Sequence, residues 1–96
     1  MLIEKFLDYL QLEKNYSSNT LSAYKRDLIQ YNNFIIENNG NLEIENADYK
    51  IIRSWIVSLV SSNISNRSIN RKVSSLKSFY KFLIKTDTIK SSPLKA

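Results

Sequence analysis

Residues 65–85, SNRSINRKVSSLKSFYKFLIK, decide how this chain is read. Ile69, Val73, Leu76, Tyr80 and Leu83 recur at four-three-four-three spacing, which at about 100° per residue puts them on one stripe of an α-helix facing a core. The opposite side gathers Arg67, Asn70, Arg71, Ser74, Lys77, Ser78, Lys81 and Lys85, and no acid occurs between Asp48 and Asp87. Surface helices commonly interleave Glu with Lys to pair charges. This face therefore expects its anion from outside the chain, against the plainer reading of a solvated cationic surface. Ser65 suits the N-cap, with its hydroxyl accepting from the Ser68 amide, and Lys81 and Lys85 suit the negative pole. Phe82 falls toward the polar side and Phe79 on its flank; coverage by the first helix is the favoured reading, contact with a partner the other.

Working outward, residues 2–14 place Ile3, Phe6, Leu7 and Leu10 on a first amphipathic helix. Asn15-Tyr16-Ser17-Ser18-Asn19 breaks the pattern. Leu21, Tyr24, Leu28, Tyr31 and Ile35 then form the stripe of a second helix over residues 19–38, with Ser22, Lys25, Arg26, Ile29 and Asn33 facing away. Asn38-Asn39-Gly40 stops it, Gly accepting the left-handed conformation. After a loop at 41–46, in which Leu42 and Ile44 tuck inward, a third helix spans 47–61. Its Ile51, Ile52, Trp55, Ile56 and Leu59 make the most apolar face of the chain, so it is expected to be the buried core helix. Ser62-Asn63-Ile64 links it to the fourth. Thr86-Asp87-Thr88 ends that helix, and Pro93 favours an extended or turn conformation over residues 91–94.

Ninety-six residues suit one domain with one core. With 43% apolar residues, one Gly and one Pro, the composition is that of a helical globular protein. There is no Cys and no His, which excludes disulfides, thiolate metal sites and imidazole acid–base chemistry. No cofactor and no metal are expected, and catalysis by these residues alone is not expected either. No apolar run approaches the roughly 20 residues of a membrane span, and the acid-bearing N-terminus does not read as a signal peptide; a cytoplasmic protein without membrane contact is the expectation. Charge is asymmetric. Residues 1–48 hold 4 Lys or Arg against 8 Asp or Glu, net −4, and residues 49–96 hold 10 against 1, net +9. The basic field is concentrated in the second half, although abundant Asn, Ile and Lys also fit an AT-rich genome.

Two helix starts are candidates for touching nucleic acid. Ser17-Ser18-Asn19-Thr20 offers amides, a favourable dipole and hydroxyls to phosphate, or plain N-capping. Residues 65–72 do the same for the fourth helix, where Arg67 and Arg71 can fork onto guanine and Asn70 can pair with adenine. Lys77 and Lys81 suit phosphates, which position without specifying.

The run FLDYLQLEKNYSSNTLSAYKRDLIQYNNFI (residues 6–35), followed by SNRSINRKVSSLKSFYKFL (65–83) and a closing Ser-Pro-Leu, resembles the N-terminal core-binding, or SAM-like, domain of tyrosine recombinases and phage integrases of the Xer type. The resemblance covers essentially the whole chain. It rests most on Ser18-Asn19-Thr20 with Tyr24 and Asp27-Leu28, and on Arg67-Ser68-Ile69 with Arg71-Lys72, Leu76, Ser78-Phe79-Tyr80 and Leu83. It implies an all-α, four-helix SAM-like orthogonal bundle over residues 1–90, with 91–96 beginning a linker to a separate catalytic domain. It implies a clamp on one side of a duplex half-site, the second and fourth helices crossing in the major groove. Asn19, Thr20, Ser22 and Lys25 form one implied contact set, and Arg67, Ser68, Asn70, Arg71, Ser74 and Lys77 the other. The implied partners are double-stranded DNA and neighbouring recombinase protomers, the latter touched by the first helix; the isolated domain is expected to be monomeric. The catalytic Arg, Lys, His and Tyr of that family lie in the other domain. Here Tyr24, Tyr31 and Tyr80 sit on core stripes, and Tyr9, Tyr16 and Tyr49 lack clustered acid–base partners. Two rival readings stay open: a helical protein-interaction module with a basic face, and a helix-turn-helix regulator, for which a short helix pair with a Gly-bearing turn is missing.

Overall fold

The computed structural model describes residues 1–94, so the expected linker at 91–96 lies partly outside the described residues. Four α-helices and one 3-10 turn follow one another: α1 (Leu2–Leu12), α2 (Ser18–Asn39), the 3-10 turn (Ile44–Asn46), α3 (Tyr49–Ser61) and α4 (Asn66–Lys85). No strand occurs among the described residues. The all-α four-helix class is therefore the observed one.

The starts are chemically specified. The side chains of Ser17, Asp48 and Ser65 accept from the amides of Thr20, Ile51 and Ser68, each satisfying one donor that a helix start leaves unpaired. The ends are specified differently from the expectation. Gly40 has φ −14° and is not left-handed. Asn15, Asn63 and Asp87 take positive φ instead, at 53°, 62° and 58°, as short polar side chains can. After α3 and α4 the chain closes with Ile64 N–H donating to Leu59 C=O at 3.1 Å and Thr88 N–H to Leu83 C=O at 2.9 Å, the Schellman arrangement that caps orphan carbonyls.

α2 and α4 pack together at the centre, with α1 against both on one side and α3 against both on the other. This arrangement corrects the expectation for α3. Only Ile52 and Trp55 of α3 are buried, whereas Val57 and Val60 stand 55% and 58% exposed. The central helix is α4, which buries Ile69, Lys72, Ser75, Leu76, Phe79, Tyr80, Phe82 and Leu83. A helix flanked on several sides must bury more than one stripe, and this accounts for the off-stripe aromatics. Phe6 of α1 meets Phe79 and Phe82 with ring centroids 5.5 and 5.4 Å apart, and Tyr9 meets Phe82 at 5.0 Å. The first helix covers them, as the favoured reading holds. Each fully buried aromatic or aliphatic side chain contributes about 1.5–3 kcal/mol.

A polar bridge ties the loop to this core. Tyr80 Oη donates to Ile44 C=O at 2.8 Å; its single proton is thereby committed, so Tyr31 Oη, 2.8 Å away, donates to Tyr80 Oη. Burial pushes the Tyr31 phenol up to about 12, and burial raises Tyr80 further. Leu42 and Ile44 do tuck inward, Ile44 fully. Beyond α4, Ile89 and Leu94 pack on the core.

Candidate nucleic-acid interface

The start of α2 and the first half of α4 lie side by side. Between them runs a groove of about 370 Å³ lined by Asn19, Thr20, Ala23, Tyr24, Asp27, Arg71, Ser74 and Ser75. Four of the expected contact residues, Asn19, Thr20, Arg71 and Ser74, thus meet in one place although they come from segments about 50 residues apart. Ser22, Lys25, Arg67, Asn70 and Lys77 are exposed, and line neither this groove nor the larger one described below. Ser68 is half-buried, and both its amide and its hydroxyl are engaged by the Ser65 cap at 3.2 and 3.1 Å. On α2, Ser17 likewise accepts from the Thr20 amide at 3.3 Å. Capping and ligand contact therefore compete for the same groups at both starts.

Lys81 lies elsewhere. It lines a second groove of about 520 Å³ between α1 and the end of α4, together with Lys14, Lys85, Tyr9, Tyr16 and Phe82. Lys85 Nζ donates to Tyr9 Oη at 3.2 Å and sits 4.9 Å from the centre of its ring.

At the floor of the first groove is an acid that charge counting on α4 alone overlooks. Asp27 is 1% exposed and accepts four hydrogen bonds. Its Oδ1 takes Arg71 Nη2 at 2.9 Å and Lys72 Nζ at 3.0 Å, and its Oδ2 takes Arg71 Nε at 3.2 Å and Ser75 Oγ at 3.1 Å. Lys72 Nζ also donates to Gln30 Oε1. Burial by itself would raise the Asp27 carboxyl, but the Arg71 and Lys72 donors outweigh it and hold the group below its ordinary 3.8. It is thus a carboxylate at neutral pH. The expectation that α4 draws its anion only from outside is corrected here: α2 supplies one charge, and Arg71 and Lys72 share it. No buried side-chain polar atom among the described residues lacks a partner.

The Arg71 fork is engaged through its Nε–Nη2 edge. A guanidinium carries five N–H donors, so the Nη1–Nη2 edge is left for a ligand, and the Arg71 side chain remains 45% exposed. Lys72 is different: its side chain is only 7% exposed, so it is a core cation rather than a contact residue. Among the described residues no cluster of three or more acidic, His or Cys groups is placed to hold a metal, and no helix is long and apolar enough to cross a membrane.

The family described as "Phage integrase, N-terminal SAM-like domain" matches residues 3–87. The chain belongs to that family. SAM-like relatives include proteins named tyrosine recombinase XerC from Oceanobacillus iheyensis, 38% identical over 97% of this chain and 30% of the relative, and from Chlorobaculum parvum, 41% identical over 96% and 29%. A third, from Rickettsia canadensis, is 40% identical over 94% of this chain and 31% of its own length. The chain thus spans less than a third of the length of these recombinases. No solved structure matches it significantly. The SAM-like assignment agrees with the four-helix architecture.

Proposed function

We propose that this SAM-like domain is the DNA-gripping module of a tyrosine recombinase, seated on one side of a duplex half-site through the start of α2 and the outward face of α4. The observation that supports this most is the α2–α4 groove, where Asn19, Thr20, Arg71 and Ser74 converge beside an α4 surface whose exposed Arg67, Lys77 and Lys81 have no acidic neighbour on their own helix. Dimensions fit. The 20 residues of α4 make a rod of about 30 Å by about 10–12 Å, and the major groove, about 12 Å wide, admits one helix. Lys25, Lys77 and Lys81 are the phosphate contacts, Arg67, Asn70 and Arg71 the base contacts. Residues 1–90 form the module and 91–96 begin the linker to a catalytic domain that carries the cleavage chemistry. In the assembled recombinase α1 faces a neighbouring protomer, while the module alone is monomeric and works inside the cell.

Fluorescence anisotropy with half-site and random duplexes over a salt series tests the reading. Three phosphate contacts predict a slope of log K against log salt of about −2.7, and Lys77→Ala/Lys81→Ala is expected to reduce it by about 2. Absence of binding at low salt refutes it and favours an acidic protein partner for the same face.

A further inference from the structure

Asp27 stands where a nucleic-acid interface would least be expected to keep a negative charge, on the floor of the α2–α4 groove. Its four hydrogen bonds use about all the lone-pair capacity of a carboxylate. It therefore cannot also bind a ligand; its whole effect is on its neighbours. Those neighbours are of two kinds. Lys72 and Ser75 are buried, and their pairing with Asp27 joins α4 to α2. Arg71 is not a core residue, since its side chain is 45% exposed, yet Asp27 grips it through two parallel bonds from Nε and Nη2. Burial of Lys72 needs one of these bonds at most. The bidentate hold on a half-exposed arginine fixes the plane of the guanidinium and leaves its Nη1–Nη2 edge unengaged by Asp27, in a side chain that lines the groove together with Asn19, Thr20 and Ser74.

We propose that Asp27 is a positioning residue for DNA: it pre-orients Arg71 so that the free edge of the guanidinium meets a guanine without first being ordered. This inference rests on the DNA-gripping reading. Its energetic logic is that a long cationic side chain loses rotamer freedom when it binds, and Arg71 has already lost it in the free protein. One excess positive charge remains in the cluster, two cations against one carboxylate, so the net field still attracts an anion.

The test exploits an opposition of sign. Asp27→Asn removes a negative charge from the interface, and Coulomb attraction alone then demands tighter binding to DNA. Positioning demands the reverse, because an amide offers an N–H where Arg71 Nε or Ser75 needs an acceptor. The expected result is duplex binding weaker by on the order of tenfold, with the helical circular dichroism retained. Arg71→Lys, which keeps the charge and loses the fork, is expected to weaken binding similarly, and the double variant no further, since the two act as a unit. Equal or tighter binding by folded Asp27→Asn overturns the inference and leaves the DNA reading standing; failure of the unaltered chain to bind duplex at low salt overturns both. Should Asp27→Asn not fold, the unaltered chain decides by nuclear magnetic resonance. A protected Arg71 Nε–H signal that persists and shifts as duplex is added supports pre-orientation. A signal untouched by saturating duplex overturns it.

Discussion

Replacing Asp27 by Ala is expected to cost this domain a large part of its stability, through the cation it leaves behind rather than the bonds it removes. Three partners are affected unequally. Arg71, 45% exposed, relaxes toward water and contributes under about 1 kcal/mol. Ser75 Oγ retains the Arg71 carbonyl at 3.2 Å. Lys72, with its side chain 7% exposed, keeps only the Gln30 carbonyl group and becomes an under-compensated buried charge. Breaking a buried pair in this way costs about 3–5 kcal/mol, against a total stability of about 5–14 kcal/mol for a domain of this size. Urea denaturation followed by circular dichroism reads it directly: at an m-value near about 1.5 kcal/mol/M the midpoint falls by roughly 2–3 M. The double variant Asp27→Leu/Lys72→Met, which removes both charges and keeps the volume apolar, is expected to recover most of the loss. A loss below about 1 kcal/mol for Asp27→Ala, or no recovery in the double variant, refutes the picture of a buried cation held by one acid.

The remaining expectations concern pH and the core. Because the Asp27 carboxyl is held below its ordinary value by Arg71 and Lys72, the stabilisation it confers is complete above about pH 5 and is lost as pH falls through the depressed folded-state pKa; urea midpoints of the unaltered chain and Asp27→Ala therefore converge in acid. For the phenols the sign is opposite. Tyr31 is raised to about 12 and Tyr80 higher, so stability present below about pH 10 declines as pH rises above it, and the decline is shallower in Tyr80→Phe. At neutral pH Tyr80→Phe leaves the Ile44 carbonyl and the Tyr31 proton without their partner, a cost of about 1–3 kcal/mol by thermal or urea unfolding. Phe6→Ala empties the seat between Tyr24, Phe79 and Phe82 and is expected to cost about 3–5 kcal/mol; a loss under about 1 kcal/mol means that α1 does not hold to the bundle through this ring.

Periodicity was enough to locate the helices because each stripe here is long and three of the four starts carry a Ser or Asp cap, α1 alone beginning at Met1 without one, so local chemistry and tertiary packing agree. Periodicity does not say which helix is central. α3 has the most apolar face but lies at the edge, with Val57 and Val60 in solvent, while α4, most of whose residues are polar or charged, runs through the middle. The distinguishing signal was the pair Phe79 and Phe82 off the main stripe: an amphipathic helix that spills aromatics beyond one face is being contacted from a second side. At the helix ends, Gly40 was the obvious stop signal, yet Asn15, Asn63 and Asp87 adopt the left-handed turns, since a polar side chain of that length tolerates the conformation nearly as well in an exposed loop.

The site follows the same division. Which faces of α2 and α4 point outward was legible from the wheels, but only Asn19, Thr20, Arg71 and Ser74 of the expected contact residues line the groove between the two helices, while Ser22, Lys25, Arg67, Asn70 and Lys77 stand exposed outside it. That Arg71 and Lys72 have an internal counter-charge was not, because the acid lies 44 and 45 residues away. A signal did exist in the pattern of α2, where Asp27 interrupts the stripe of Tyr24, Leu28 and Tyr31 at a position that must face the core. A carboxylate placed there has to find cations on the opposing helix, and Lys72 and Ser75, one turn apart and next to the apolar stripe of α4, were the residues able to face it. A buried acid on one helix and an unexplained cation near the stripe of another are best read together. Here that joint reading sorts Lys72, whose charge is consumed inside the fold, from Arg71, whose outer edge is still available to a ligand.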